Sequence, residues 1–331
     1  MLRRSDGRRL LSKCVMGSIA LSLGIALAGC DNQTKTVKVP ISSWPGYEYF
    51  YLAHHFNLDQ AQGVTIDPVQ FPDPQAIVHA YLRGDLDVAQ LTTVEAVDIC
   101  ARAPKRCPVV VLILNESRGG DRIAAAKSIR SMSELRGRRV AVTYSTLGPY
   151  VLSRALEQSN MRLEDVTLIN TPMTQMAADL RQGVVDAAVF YPPFSDFAAR
   201  DGHSHVVFDS RAIPEEVFDV LVVAPEYLKE NGETLTKIVK TWASAHAYAT
   251  KHPKESLKLM AQREKVSTEE FQQSQTGLIY FSLNQQANML AAGQTLARNL
   301  DAVKLVQQRL DLFPPGTPLP RVSNQWVSQA R

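Results

Sequence analysis

Residues 80–91 read AYLRGDLDVAQL, and residues 179–190 read DLRQGVVDAAVF. Aligning Gly84 with Gly183 also aligns Asp87 with Asp186 and Ala89 with Ala188. Each copy passes from the end of an apolar-periodic helix, through a glycine where a left-handed C-cap belongs, into a short apolar strand. One helix–stop–strand unit used twice, about a hundred residues apart, marks two similar halves and not a short-period solenoid.

The segments around these copies alternate in the same way. In the first half the patterns predict strands at 37–41, 64–71, 86–91 and 109–114, with helices at 48–56 (ended by Asn57), 75–83 and 94–101. In the second half strands are predicted at 121–126, 140–144, 166–170 and 185–191, with helices at 149–158 and 175–182. Pro149 suits the first position of its helix. Ser131 and Glu134 have capping-box spacing for a short helix stopped by Gly137. Such alternation predicts parallel sheets covered by helices. A strand at 217–224 follows, and the chain then becomes helical over 234–251, 253–262, 267–279 and 285–310. The proline-rich residues 313–331 are expected to wrap the surface.

A chain of 331 residues is long enough for two domains, and 45% hydrophobic with 21% charged residues places it among globular proteins. The formal net charge is +3, but five bases (Arg3, Arg4, Arg8, Arg9, Lys13) and one acid (Asp6) lie within residues 1–29, so the rest of the chain stands at −1. That balance disfavours generic binding to nucleic acid, which needs a net basic footprint. Residues 15–28 carry no charge, a run too short to span a bilayer but suited to the apolar part of an export signal. The run ends Leu27-Ala28-Gly29-Cys30, which resembles the lipobox of bacterial lipoproteins. That resemblance implies cleavage before Cys30, acylation of Cys30 and anchoring by several acyl chains, each buried CH₂ contributing about 0.8 kcal/mol. The alternative is an ordinary cleaved signal with an incidental cysteine. Asp31 resembles the residue that keeps enterobacterial lipoproteins at the inner membrane. Residues 30–36 then form a short lipidated tether. With Cys14 in the signal and Cys30 lipidated, Cys100 and Cys107 remain in an oxidising compartment, and a disulfide closing that short loop is predicted; two free thiols at the ends of a turn are the alternative.

In open α/β sheets a ligand sits beyond the carboxyl ends of the strands. Those points carry Ser42, Trp44 and Tyr47, then Thr92 and Thr93, then Ser145 and Thr146, then Tyr191. Backbone N–H groups at the helix starts near Thr93 and Gly148 can hold an anionic group. Each residue also has a purely structural reading. Thr92 and Glu95 form a capping-box pair, Ser145 and Thr146 can cap their helix, and the aromatics can be core.

Taken together, the first strand with Trp44-Pro-Gly-Tyr47, Gly84-Asp-Leu-Asp-Val-Ala, Leu135-Arg-Gly137 with Val140-Ala-Val, Ser145-Thr, Gly183-Val-Val-Asp-Ala187 with Pro192, and Phe218-Asp-Val-Leu-Val-Val carry a resemblance. The chain resembles periplasmic solute-binding proteins of the nitrate/sulfonate/taurine type, related to the thiamine-precursor binders, over about residues 37–260. The resemblance implies a two-lobed α/β periplasmic-binding-protein fold of type II-like form. Residues 37–117 and 218–331 would form lobe 1 and residues 118–217 lobe 2, with crossovers near 115–122 and 214–220 and the C-terminal helices returning to the first lobe. It places ligand contacts at Ser42, Trp44, Tyr47, Thr92, Thr93, Ser145, Thr146 and Tyr191, with no cofactor. The ligand would be a small organic anion or a small heterocycle, and the partners a membrane permease and its ATPase, at the periplasmic face of the inner membrane. This sequence departs from the family where many members carry an acidic residue before the proline and it has Tyr191-Pro192.

No Walker-type glycine-rich loop and no Ser/His/Asp, HExxH or Cys/His pattern stands out, so the chain is read as a non-enzyme. A ligand-sensing lipoprotein that addresses a membrane receptor or signalling enzyme is the alternative. His54-His55 and His203-Ser-His205 are read as solvated surface residues, not metal ligands.

Overall fold

The computed structural model describes residues 34–200 and 202–331. The export signal, Cys30 and most of the tether lie outside the described residues. β1 (Lys35–Ile41) leads through a tight turn to α1 (Tyr49–His55) and α2 (Leu58–Ala61). Then come β2 (Val64–Gln70), α3 (Pro74–Arg83), β3 (Val88–Thr92), α4 (Thr93–Arg102) and β4 (Val109–Ser117). α3 starts at Pro74, with the Asp73 carboxylate accepting the Ala76 amide, and stops at Gly84, whose φ of 84° is the left-handed cap expected there. α4 carries the full capping box between Thr92 and Glu95. Cys100 and Cys107 are joined by a disulfide with their Cα atoms 4.2 Å apart.

The second run comprises β5 (Arg122–Ala126), β6 (Arg139–Val142), α5 (Leu147–Gln158), β7 (Thr167–Asn170), α6 (Met173–Arg181), β8 (Ala187–Phe190), α7 (Phe194–Ala199) and β9 (Ser204–Asp209). Two expected starts are corrected. α5 begins two residues before Pro149, capped by Thr146, and Ser131 makes no cap bond to the short 3₁₀ turn at Met132–Leu135. The glycine stop recurs at Gly183, with φ 69°.

The chain returns through β10 (Phe218–Val223), α8 (Pro225–Glu230), α9 (Gly232–Lys251), α10 (Pro253–Glu264) and α11 (Thr268–Gln275). It ends with β11 (Leu278–Ile279), α12 (Leu283–Met289), α13 (Thr295–Arg309), β12 (Arg321–Val322) and α14 (Gln325–Gln329). The long helix expected over 285–310 is thus two helices, broken around Gly293. The proline-rich tail is not only a wrapping: β12 pairs in parallel with β4, and α14 buries Trp326 and Val327.

One sheet runs β11-β4-β10-β3, with β12 on β4, and a two-stranded parallel pair β1-β2 packs beside β3. The other sheet runs β7-β6-β8-β5-β9 and is built entirely from residues 122–209. Neither large sheet is purely parallel, contrary to expectation. β10 runs antiparallel to β3 and β4, and β5 antiparallel to β8 and β9. The cause is the pair of short passages between sheets. β4 ends on the same side as β3, and only residues 118–121 separate it from β5. β5 therefore enters its sheet beside the carboxyl end of β8, Arg122 opposite Phe190, and runs away from it. β10 enters the first sheet in the same manner, with Asp219 opposite Thr92. The passages brace each other: Ser117 Oγ lies 2.9 Å from Ser210 Oγ, and Ser210 donates its amide to Asp121 O at 2.9 Å.

α9 places Leu235, Ile238, Val239, Trp242 and Ala245 on one buried face against the first core. α13 does not follow the return to the first sheet. It sets Leu300, Val303 and Val306 into the core of the second, beside Val94 and Val97 of α4. Gln307 donates to Val94 O and Arg309 to Glu157, so α13 straps the two regions together.

Candidate functional site

The carboxyl ends of β1, β3, β6 and β8 and the amino ends of β5 and β10 open on one cleft with about 580 Å³ of empty space, its mouth included. The first wall is the turn after β1. Pro45 starts a 3₁₀ turn over Pro45–Tyr47. Gln275 donates to Pro45 O at 2.9 Å, and Arg263 to Ser42 O at 3.1 Å. At Gly46 a Cβ would stand 2.1 Å from Asn115 Nδ2, so the turn sits too close to β4 for any side chain there. These braces present Trp44 and Tyr47. Trp44 meets the edge of Tyr191, 5.1 Å between ring centroids at 88°, so the two regions close on an aromatic contact. Arg263, which steadies the turn, is itself 9% exposed and pairs with the buried Glu48 and Glu264.

Of the residues expected to contact a ligand, Trp44, Tyr47, Thr92, Thr146 and Tyr191 line the cleft. Ser42, Thr93 and Ser145 do not. Ser42 and Thr93 are fully buried. Ser145 sits in the left-handed region, φ 59°, and leaves the lining to its neighbour. Thr146 caps α5, and its hydroxyl donates to Thr143 O at 2.8 Å.

The cleft also holds carboxylates that sequence reasoning missed: Asp73, Glu95, Asp121 and Asp219. Glu95 is 1% exposed. It accepts the Thr92 amide at 2.8 Å, the Thr92 hydroxyl, and the Leu147 amide at 3.0 Å across the cleft. Of the two helix starts expected to offer amides to an anionic ligand, the one at α5 is engaged within the chain. At α5 the chain's own Glu95 carboxylate takes the first amide, and the Gly148 amide points to Thr146 Oγ1. Burial nonetheless raises Glu95 above the usual carboxylate range, against those donors.

Asp219 is 2% and Asp121 4% exposed. Asp219 Oδ1 accepts the Tyr47 hydroxyl at 2.6 Å, while its Oδ2 and Asp121 Oδ2 have no hydrogen-bond partner in the protein. Desolvation pushes Asp121 up to about 7, the Ser117 hydroxyl opposing it and the Glu95 charge adding to it. Asp219 is raised well above its ordinary value, again chiefly by burial, with Asp121 and Glu95 contributing. Tyr47 and Tyr191 are raised for the same reason. No Lys, Arg or His is among the described lining residues. Arg122, a cation that acts on Asp121, is engaged with Asp196 at 2.8 Å.

A signal for two of the missed groups was present. Asp219 is the lone charge in the strand FDVLVV, and Asp121 follows Gly119-Gly120 where the chain changes sheets. Glu95 gave none, because a capping box accounts for it fully. No group of three or more His, Cys, Asp or Glu side chains is placed to hold a metal ion among the described residues, and no described helix is long and apolar enough to cross a membrane.

Two α/β sheets joined by short passages, with a cleft at their facing strand ends, define the periplasmic-binding-protein fold. The chain belongs to the NMT1/THI5-like family, whose model matches residues 44–256. It is 24% identical over 221 residues to the taurine-binding periplasmic protein of Escherichia coli (strain K12), covering 65% of this chain and 68% of that one. The periplasmic aliphatic sulphonate binding protein SsuA of E. coli superposes with a TM-score of 0.71 at 17% identity, over 89% of this chain and 99% of that one. The desulfurization enzyme DSZB shares the fold at a TM-score of 0.64 and 18% identity, over 90% of this chain and 100% of that one.

Proposed function

We propose that this chain is the extracytoplasmic solute-binding component of an ABC uptake system, tethered to the inner membrane through a lipid on Cys30. The observation that carries the reading is the cleft itself. Its walls come from both sheets, which the chain joins by two short passages, so the sheets can hinge about residues 118–121 and 210–217, with the α13 strap moving along with the second sheet. Residues 37–117 and 218–331 act as one lobe, apart from α13, which packs on the other lobe, residues 118–217. A small solute bridging Trp44, Tyr47, Thr92, Thr146 and Tyr191 favours the closed form by touching both. The loaded protein then docks on a permease driven by an ATPase partner, and the tether raises its local concentration there.

The test is thermal unfolding of protein purified from cells expressing the full chain, against taurine, alkanesulfonates, nitrate, amines, pyrimidines and amino acids. A ligand at 100 times its Kd stabilises by about 2.7 kcal/mol and shifts the midpoint. If no compound shifts it and no solute co-purifies, uptake is refuted in favour of a sensory lipoprotein. Loss of palmitate labelling in Cys30→Ser tests the anchor; undiminished labelling refutes it.

A further inference from the structure

Resting on that reading, we infer that the solute carries a protonated or donor-bearing nitrogen, and that this end enters the cleft between Asp121 and Asp219 with the Trp44, Tyr47 and Tyr191 rings around it. Two independent observations lead there. First, Asp121 Oδ2 and Asp219 Oδ2 are buried acceptors in the cleft lining that make no well-formed hydrogen bond in the protein, the Trp44 indole N–H being the one donor besides the Tyr47 hydroxyl that acts on Asp219. A buried acceptor without a donor is costly, and a ligand N–H relieves it. Second, the α5 start, where an anionic group would be held, already binds an anion of the chain's own, Glu95. An incoming sulfonate or nitrate would find that amide engaged and would face carboxylates on several sides. The titratable groups of the lining are Tyr47, Asp73, Glu95, Asp121, Tyr191 and Asp219, all acids. Aromatic faces and edges beside carboxylates are the chemistry that recognises amines, guanidines and aminated heterocycles.

The experiment has two arms on protein purified from cells expressing the full chain. In the first, the protein is denatured and any released solute is identified by mass spectrometry. In the second, calorimetric titration compares ethylamine, methylguanidine, 2-aminopyrimidine and taurine with ethanesulfonate and nitrate, from pH 5.5 to 8. The expected result is a nitrogenous solute in the first arm. In the second, ethylamine, methylguanidine and 2-aminopyrimidine bind in preference to ethanesulfonate and nitrate, and affinity for methylguanidine rises with pH as the carboxyls ionise; taurine binding while those three do not would overturn the inference. Asp219→Asn and Asp121→Asn should each weaken methylguanidine at least tenfold; should either variant not fold, the pH profile of the unmodified protein decides. Ethanesulfonate or nitrate binding that strengthens as pH falls would mean that protonated carboxyls donate to an anion. That result overturns this inference and leaves solute capture standing. No released solute and no binding by any probe overturns both.

Discussion

Asp121→Asn isolates the cost of placing a carboxylate at the passage between the sheets. Burial lifts Asp121 from 3.8 to about 7. Between those values the folded protein holds a proton that the unfolded chain has released, so stability falls as pH rises through that window and is flat above it. The shift is roughly three pH units, and at about 1.4 kcal/mol per unit the whole window amounts to about 4 kcal/mol. From pH 5 upward about 3 kcal/mol of it remains to be seen. Asparagine fills the same space and cannot ionise. Urea unfolding of both proteins at pH 5, 6, 7 and 8 should therefore show the variant gaining on the parent by about 3 kcal/mol across the series. The change in the gap is the quantity to read, not its absolute size, because Asp219, Glu95 and Glu264 remain in both proteins. Parallel curves would refute the reasoning, since an Asp121 that ionises normally, or is wetted, gives no differential slope.

Four further outcomes follow from the same geometry. Arg263→Met strands the buried Glu48 and Glu264 and should cost about 3–5 kcal/mol in urea unfolding at pH 7.5. Gly120→Ala puts a Cβ 2.7 Å from Trp44 Cη2 and 2.9 Å from Ser117 Oγ. It should shift the tryptophan emission and weaken ligand binding with little loss of helix content by circular dichroism. Trp44→Leu removes the edge contact to Tyr191, worth about 0.5–1.5 kcal/mol beyond area, and should weaken binding of the identified solute at least tenfold by calorimetry. The double change Cys100→Ala/Cys107→Ala opens a loop of sequence separation 7 and should lower stability by about 2.4 kcal/mol or less on the loop-entropy model, read as a shifted urea midpoint.

Much of the architecture was legible because it is local. The stops at Gly84 and Gly183, the capping box at Thr92 and the run 109–114 each state their own structure within a few residues. Strand direction was not legible. Nothing within β5 or β10 records which end of its sheet it enters; that follows from the length of the passage before it, and β4-to-β5 takes only four residues. β9 was missed because residues 204–209, SHVVFD, offer two valines and little alternation, and their strand character comes from pairing with β5. The break near Gly293 was likewise hidden by helix formers on both sides.

The site divides along the same line. Trp44, Tyr47 and Tyr191 could be picked out because aromatic side chains in turns after strands are hard to explain as core alone. The carboxylates could not, since their meaning lies in what surrounds them. Glu95 is the sharpest instance. Read along the chain it completes a cap with Thr92, and it does so in the structure. Read across the cleft, its other oxygen takes the Leu147 amide from a helix 52 residues away. The same side chain thus starts one helix and occupies the start of another, and only the second contact bears on which ligand charge the cleft accepts. A capping box needs a carboxylate or carboxamide at that place, so glutamine would preserve the first role while removing the charge from the second. Specificity in this cleft is written in the partners of residues whose local signature is purely structural.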